Sequence, residues 1–350
     1  MNFYQAIGKP SGQATEDLPV SQTESWKDPK DYLPDPGLVS AVNVALLLGQ
    51  PLLLTGAPGS GKTELIYNLA LEFGVKRENV LDHVVKSTTS ATDLFYIFNH
   101  ARQFRDAARG AEDMNPEKYL TLNALGRAIL LAQDRNAVPA HLAPLVDKAM
   151  AGFPPVDGPD TRRRVFVLID EIDKAPRDIP NDVLSEIDRF EFEIPELTLG
   201  DNQVPRFKAS PEFRPIVVFT SNSEKQLPET FLRRCVYYHI EQPSEAKLRR
   251  IVEKRFPSIG TIGDRHPFAD ALALFLDFQS DRSQLQKRPS TAELLSWTAV
   301  LAERFDLKKH SIKAKDQTPY LKSSLTALLK TEADLLRGEK ILNRWMARAT

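Results

Sequence analysis

The sequence predicts an α/β fold: a parallel five-stranded sheet covered by helices, with an all-helical region at its C-terminal end. Three observations predict it. Short, nearly continuous apolar runs recur at Leu52 to Thr55, Val80 to Val85, Val165 to Ile169, Ile216 to Thr220 and Val236 to Ile240, and helical patterns separate most of them. A glycine-rich loop stands between the first run and an amphipathic helix. After about Gln242 strand signals stop, and residues 245–255, 267–280, 290–305 and 320–348 read as helices. The 350 residues leave room for two domains at about 150 residues each.

Taken in order, residues 1–30 are rich in Gly, Pro, Ser, Gln and Thr without periodicity and are expected to be a flexible tail. Leu33-Pro34-Asp35-Pro36 then introduces a buried helix, Leu38 to Gly49. Beyond the first strand, Lys62 to Phe73 places Leu65, Ile66, Leu69 and Phe73 on one helical face before Gly74 ends it. Phe190-Glu191-Phe192-Glu193-Ile194 alternates at strand period, and Gly200-Asp201-Asn202 is turn chemistry, so a hairpin is expected near 190–213. The expected domains are the tail (1–30), an α/β core (31–241) and a helical lid (242–350).

Composition excludes several classes of function. Lys plus Arg total 46 against 47 Asp plus Glu, a net charge of −1, so no global field recruits nucleic acid or an anionic membrane. The single cysteine, Cys235, rules out intrachain disulfides and Cys-rich metal sites. Leu38 to Leu54 is interrupted by Asn43, Gln50 and Pro51, so no transmembrane helix is expected. The first twenty residues lack a basic start followed by an apolar core, and the expected location is cytoplasmic. The six histidines never take an HExxH spacing, which leaves zinc hydrolysis without support.

The chemistry is concentrated in four places. Gly56-Ala57-Pro58-Gly59-Ser60-Gly61-Lys62-Thr63, followed by Glu64, fits the phosphate-loop pattern between a strand and a helix. Its glycines let backbone N–H groups close around phosphate oxygens, Lys62 reaches the β and γ phosphates, and Thr63 can ligate Mg²⁺. Val165-Phe166-Val167-Leu168-Ile169-Asp170-Glu171 delivers two carboxylates at a strand end, Asp170 to hold Mg²⁺ through its water shell and Glu171 to polarise the attacking water. Ile216 to Asn222 is another apolar strand with a polar tip, and the Asn222 amide is the candidate water positioner. Arg233 and Arg234 follow, either as surface ion pairs or as a finger supplied to a neighbour. Two further basic features read as solvated faces: Arg162-Arg163-Arg164, and residues 301–350 with 11 Lys plus Arg against 6 Asp plus Glu.

These motifs, in this order over approximately residues 30 to 310, resemble the AAA+ ATPases, P-loop NTPases, and among them the MoxR branch most. The resemblance implies that GAPGSGKT is Walker A, VFVLIDE is Walker B, Asn222 is sensor 1, and Arg234, with Arg233 as runner-up, acts across a subunit boundary. Lys287-Arg288-Pro289-Ser290-Thr291 resembles the start of the sensor 2 helix, where either Lys287 or Arg288 touches the γ-phosphate; the alternative is a basic pair before a helix capped by Ser290 or Thr291. Ser87 to Phe98 resembles the insert in the second core helix, and Phe190 to Phe213 the hairpin before sensor 1. Two adjacent aromatics, Phe95 and Tyr96, are the residues expected to grip a client. What the resemblance implies is ATP and Mg²⁺ as cofactors, a hexameric ring, a von Willebrand factor A domain adaptor, and remodelling of a client protein. The competing expectations are a nucleic-acid motor or loader and a nucleotide-gated switch that rarely hydrolyses; an intact Glu171 argues against the switch.

Overall fold

The structure is a computed structural model describing residues 28–155, 160–177, 179–198, 203–307, 309, 311–313 and 318–347. The expected tail, up to residue 27, and the expected turn at 200–202 lie outside the described residues. The described residues divide into two compact units, one of Pro34–Ala57 with those of Lys62–Ile240, the other holding the described residues up to Leu33, Pro58–Gly61 and those from Glu241 onward.

The first unit opens with α1 (Pro36–Leu48), which has proline in its first turn and ends where Gly49 takes a left-handed φ of 63°. β1 (Leu52–Gly56) leads through the glycine loop into α2 (Lys62–Glu72). Then come β2 (Leu81–Val84), β3 (Tyr96–Phe98), α3 (His100–Ala108), β4 (Leu120–Leu122), α4 (Ala124–Ala132), α5 (Ala143–Met150) and β5 (Phe166–Asp170). The short α6 (Ile179–Asp182) and α7 (Leu184–Arg189), β6 (Glu191–Glu193), β7 (Arg206–Lys208), β8 (Ile216–Ser221), α8 (Glu229–Leu232) and β9 (Val236–Ile240) complete it.

β2, β5, β8, β1 and β9 form one five-stranded sheet in that order, with every neighbouring pair parallel. The three inner strands are buried almost throughout, whereas edge strands β2 and β9 alternate. That difference is what covering both faces of a parallel sheet with helices produces. β8 lies between β1 and β5, with Thr55 opposite Ser221 and Ile169 opposite Phe219. The residues that follow β1, β5 and β8 therefore leave one sheet edge together, where α/β folds place their ligands. Below that edge Leu53, Val167, Ile169, Val217 and Phe219 share a core with α4, and Phe219 meets Phe231 edge-on at 5.1 Å.

Two small hairpins leave the sheet. β6 and β7 pair antiparallel, with Phe192 opposite Phe207. β3 pairs antiparallel with β4, Tyr96 opposite Leu122, so the excursion that begins near residue 87 runs on to Leu122 and carries α3 between its strands. Here the reading of Phe95 and Tyr96 as gripping residues is corrected. Each is only 4% exposed. Phe95 stacks on Phe192 at 5.4 Å, and the Tyr96 hydroxyl donates to Glu196 at 2.9 Å. The two rings fill the core between the hairpins, because burial there removes their apolar surface from water.

The second unit contains α9 (Glu245–Arg255), α10 (Ala269–Gln279), α11 (Thr291–Ala302), α12 (Thr318–Ser324) and α13 (Glu332–Ala347) around its own core of Trp297, Phe275, Phe278, Leu294 and Leu342. The single helix expected over 320–348 is two helices. After a 3₁₀ turn at Leu325–Ala327, the Thr331 hydroxyl accepts from the Asp334 N–H at 3.1 Å, a cap that starts a new helix. No helix among the described residues is long and apolar enough to cross a membrane.

Candidate functional site

The glycine loop begins where β1 ends, and its backbone requires glycine. Gly59 and Gly61 have φ of +73° and +89°, which side chains disfavour. Lys62, 6% exposed, folds back so that Nζ donates to the carbonyls of Gly56 and Ala57 at 2.9 and 3.0 Å. Burial pushes its pKa below the usual lysine value, while the charges of Asp170, Asp173 and Glu171 oppose that shift. The Ser60 hydroxyl oxygen is buried without a hydrogen-bond partner among the described residues. A glycine-rich turn leading into a helix start, a buried lysine beside it and a buried hydroxyl are the residue types that suit a phosphate group. Glu64, in the first turn of α2, pairs with Arg77 at 3.3 Å.

β5 brings its carboxylates to this loop. Thr63 Oγ1 donates to the two Asp170 oxygens at 3.2 and 3.3 Å. Among the described residues no group of three or more His, Cys, Asp or Glu could cage a metal. A hydroxyl beside one carboxylate is instead a donor set suited to Mg²⁺, which completes its shell with water and phosphate oxygens. Glu171, the residue after β5, has a left-handed φ of 61°, a conformation uncommon for a non-glycine residue. Its Oε1 accepts from the Asn222 amide at 3.2 Å and its Oε2 pairs with Lys174 Nζ at 2.6 Å. Thr63 is thus bonded to Asp170 and Asn222 to Glu171, and the charges of both carboxylates act on the Lys62 ammonium, which makes these five residues one cluster.

Three residues of this cluster were not singled out from sequence. Thr220, 1% exposed at the end of β8, accepts from the Glu171 N–H at 2.9 Å and donates to Asp170 Oδ1. Asp173, 2% exposed, accepts from the N–H groups of Asn222 and Glu224 at 3.3 and 2.9 Å, so it ties the turn after β5 to the turn after β8. Lys174 is the third. The signal for all three was position, since Asp173 and Lys174 follow the Asp-Glu pair directly and Thr220 precedes Asn222 by two.

The remaining candidates make contacts of their own. Arg233 pairs with Glu229 one turn earlier, and Arg234 pairs with Asp188 while donating to the Thr230 carbonyl at 3.0 Å. Lys287 and Arg288 are exposed in the helical unit just before α11, whose capping box joins Ser290 and Glu293. The preceding loop is held by Asp334, fully buried, which accepts from the N–H groups of Gln286 and Lys287 at 2.8 and 3.1 Å. Arg162 pairs with Asp160, while Arg163 and Arg164 donate to the carbonyls of Pro154 and Glu212, so each ties down a nearby loop. Burial, helped by the Asp188 charge, pushes the Cys235 thiol up to about 12, which leaves it without nucleophilic character.

No curated protein sequence matches the chain. A family profile described as the AAA domain of the dynein-related subfamily matches residues 51–235, more than half of the chain, from the residue before β1 to the residue before β9. The glycine loop, the acidic end of β5 and the polar end of β8 all fall inside that span, and the chain belongs to the dynein-related subfamily of AAA ATPase domains.

Proposed function

We propose that the chain is a MoxR-like AAA ATPase that hydrolyses ATP at the subunit interfaces of a ring, a hexamer, and uses the cycle to remodel or mature a client protein with a von Willebrand factor A domain adaptor. The observation that carries this reading is the contact of the Asn222 amide with the Glu171 carboxylate beside Asp170 and Thr63. A carboxylate beside a neutral amide at the end of a buried strand is an arrangement that can orient and deprotonate one water molecule.

In this reading the loop amides and the Lys62 ammonium hold the triphosphate and offset its charge. Bound Mg²⁺ would polarise the terminal phosphoryl group, with Thr63 and Asp170 holding it. Glu171 accepts the proton of the attacking water, and Asn222 fixes that water by its amide. Arg234, set free of Asp188, stabilises transition-state charge in the neighbouring subunit's site, and Lys287 or Arg288 senses the γ-phosphate from the helical unit.

The test is the solution mass of Glu171→Gln by light scattering with and without Mg-ATP. The reading expects a ring-sized species with nucleotide that is lost when Arg234 is also replaced by alanine. It also expects partial recovery of turnover when Arg234→Ala and Glu171→Gln subunits are co-assembled, since one kind of mixed interface then contains both intact groups. A chain that stays monomeric under saturating Mg-ATP, or co-assembled mixtures without recovery, would count against it.

A further inference from the structure

Ahead of α1 in the sequence, Pro29–Asp31 form a 3₁₀ turn, with proline in its first position and the Asp28 carboxylate accepting from the Lys30 N–H at 3.1 Å. The turn closes as the Tyr32 N–H donates to the Pro29 carbonyl at 3.2 Å, and Tyr32 leaves it with extended backbone. Its anchor is the last turn of α9, where Lys254 and Arg255 stand side by side. Arg255, with a side chain 6% exposed, donates to the Asp28 carbonyl at 2.9 Å and pairs with Asp31 at 3.8 Å. Lys254 donates to the Lys30 carbonyl at 2.9 Å. An exposed ion pair would hold such a turn weakly, whereas a guanidinium shielded from water makes stronger, charge-assisted bonds.

The anchored turn carries the Tyr32 ring, and the ring lies against the glycine loop. A methyl group on Gly61 would stand 3.1 Å from Cε2 of Tyr32, closer than carbon atoms ordinarily approach. One on Gly59 would collide with the Ser290 hydroxyl and stand 3.3 Å from the Ala292 methyl at the start of α11. Pro58–Gly61, the anchored turn, α9 and α11 all belong to one compact unit. Both glycines whose positive φ shapes the loop are therefore closely walled. Glycine has more backbone conformations open to it than any other residue, and a packed wall is what removes them.

We propose that Tyr32 and Arg255 are positioning residues for the triphosphate: Arg255 fixes the turn, the turn sets the Tyr32 ring against Gly61, and the ring holds the loop backbone in place before a phosphate chain arrives. The contribution is preorganisation, which strengthens binding without adding a contact to the ligand. Ordering the backbone of one residue costs about five- to thirty-fold in affinity, and the ring removes a cost of that size from binding. The inference rests on the nucleotide reading above and adds to it that the ring acts on the phosphate end of the ligand through the loop, whatever base the ligand carries.

The full chain is titrated with a fluorescent ATP analogue, with Mg-tripolyphosphate as competitor, and phosphate release from ATP is measured alongside. Tyr32→Ala should weaken both ligands by the same factor, about five- to thirty-fold, and raise KM for ATP likewise while kcat stays within about two-fold. Tyr32→Phe, which keeps the ring, should bind both as wild type does. Arg255→Met should reproduce the loss, and adding Tyr32→Ala to it should cost less than about two-fold more, because the two residues act in series. Should Arg255→Met not fold, Asp31→Ala should still weaken both ligands at least about two-fold. The proposal is overturned if Tyr32→Ala weakens the ATP analogue and leaves tripolyphosphate unaffected, which would make the ring a platform for the base. It is equally overturned if both ligands bind the alanine variant as they bind wild type, if the arginine and tyrosine losses add in full, or if the wild-type chain binds the analogue but not tripolyphosphate. A wild-type chain that binds neither ligand would instead refute the nucleotide reading.

Discussion

Thr220→Val isolates one hydroxyl at the centre of the site. Valine keeps the branched shape suited to a buried strand and removes only the polar function. The hydroxyl accepts from the Glu171 N–H at 2.9 Å and donates to Asp170, and with the residue 1% exposed water cannot replace either bond. The lost neutral bond costs about 1 kcal/mol and the lost bond to a carboxylate about 1.5–3 kcal/mol, so destabilisation of about 2–4 kcal/mol is expected. That N–H bond also helps fix Glu171 at its φ of 61°, so turnover should fall about 10- to 100-fold if 1.4–2.8 kcal/mol of the loss is felt in the transition state. Urea unfolding measures the first quantity and phosphate release at saturating Mg-ATP the second. Thr220→Ser, which keeps the hydroxyl, should recover most of the turnover. A valine variant with stability within about 0.5 kcal/mol of wild type and unchanged turnover would refute the reasoning.

Three further outcomes are expected. Asp173→Ala strands two backbone donors and should lower stability by about 2–4 kcal/mol while loosening Asn222, read as reduced turnover with ATP binding retained. Lys174→Ala frees one oxygen of Glu171 and should raise basal turnover several-fold, with stability changed by less than about 1 kcal/mol because the pair is partly exposed. For Asp334, burial raises the carboxyl pKa, but the N–H groups of Gln286 and Lys287 and the Thr331 hydroxyl outweigh it and hold it below the ordinary 3.8. Its folded pKa is thus depressed, so its stabilisation is present above that ordinary value and is lost as pH falls through the folded one. Melting temperature should drop across that acidic window in wild type, and Asp334→Asn should flatten the drop.

The sheet was legible because its inner strands are buried on both faces and appear as unbroken apolar runs, and the glycine loop because its spacing sits between a strand and a helix. The site was legible wherever chemistry follows directly from a strand end, as at Asp170, Glu171 and Asn222. It was not legible where a role arises only across the sheet. Thr220 meets Glu171 because β8 lies beside β5, and strand order is not written in either segment. Phe95 and Tyr96 misled because an aromatic pair in an insert looks the same in sequence whether it faces solvent or, as here, Phe192. β3 and β4, three residues each, are too short for their alternation to register. The helix break at Thr331 was hidden because a capping threonine also occurs inside helices.

The most direct test of the central claim is phosphate release by the wild-type chain and by Glu171→Gln at saturating Mg-ATP, with bound nucleotide measured in the same samples. The account predicts turnover by the wild-type chain, and a variant that retains ATP but releases phosphate at least about a hundred-fold more slowly. Equal turnover in the two, or a wild-type chain that binds ATP and never hydrolyses it, would contradict the account.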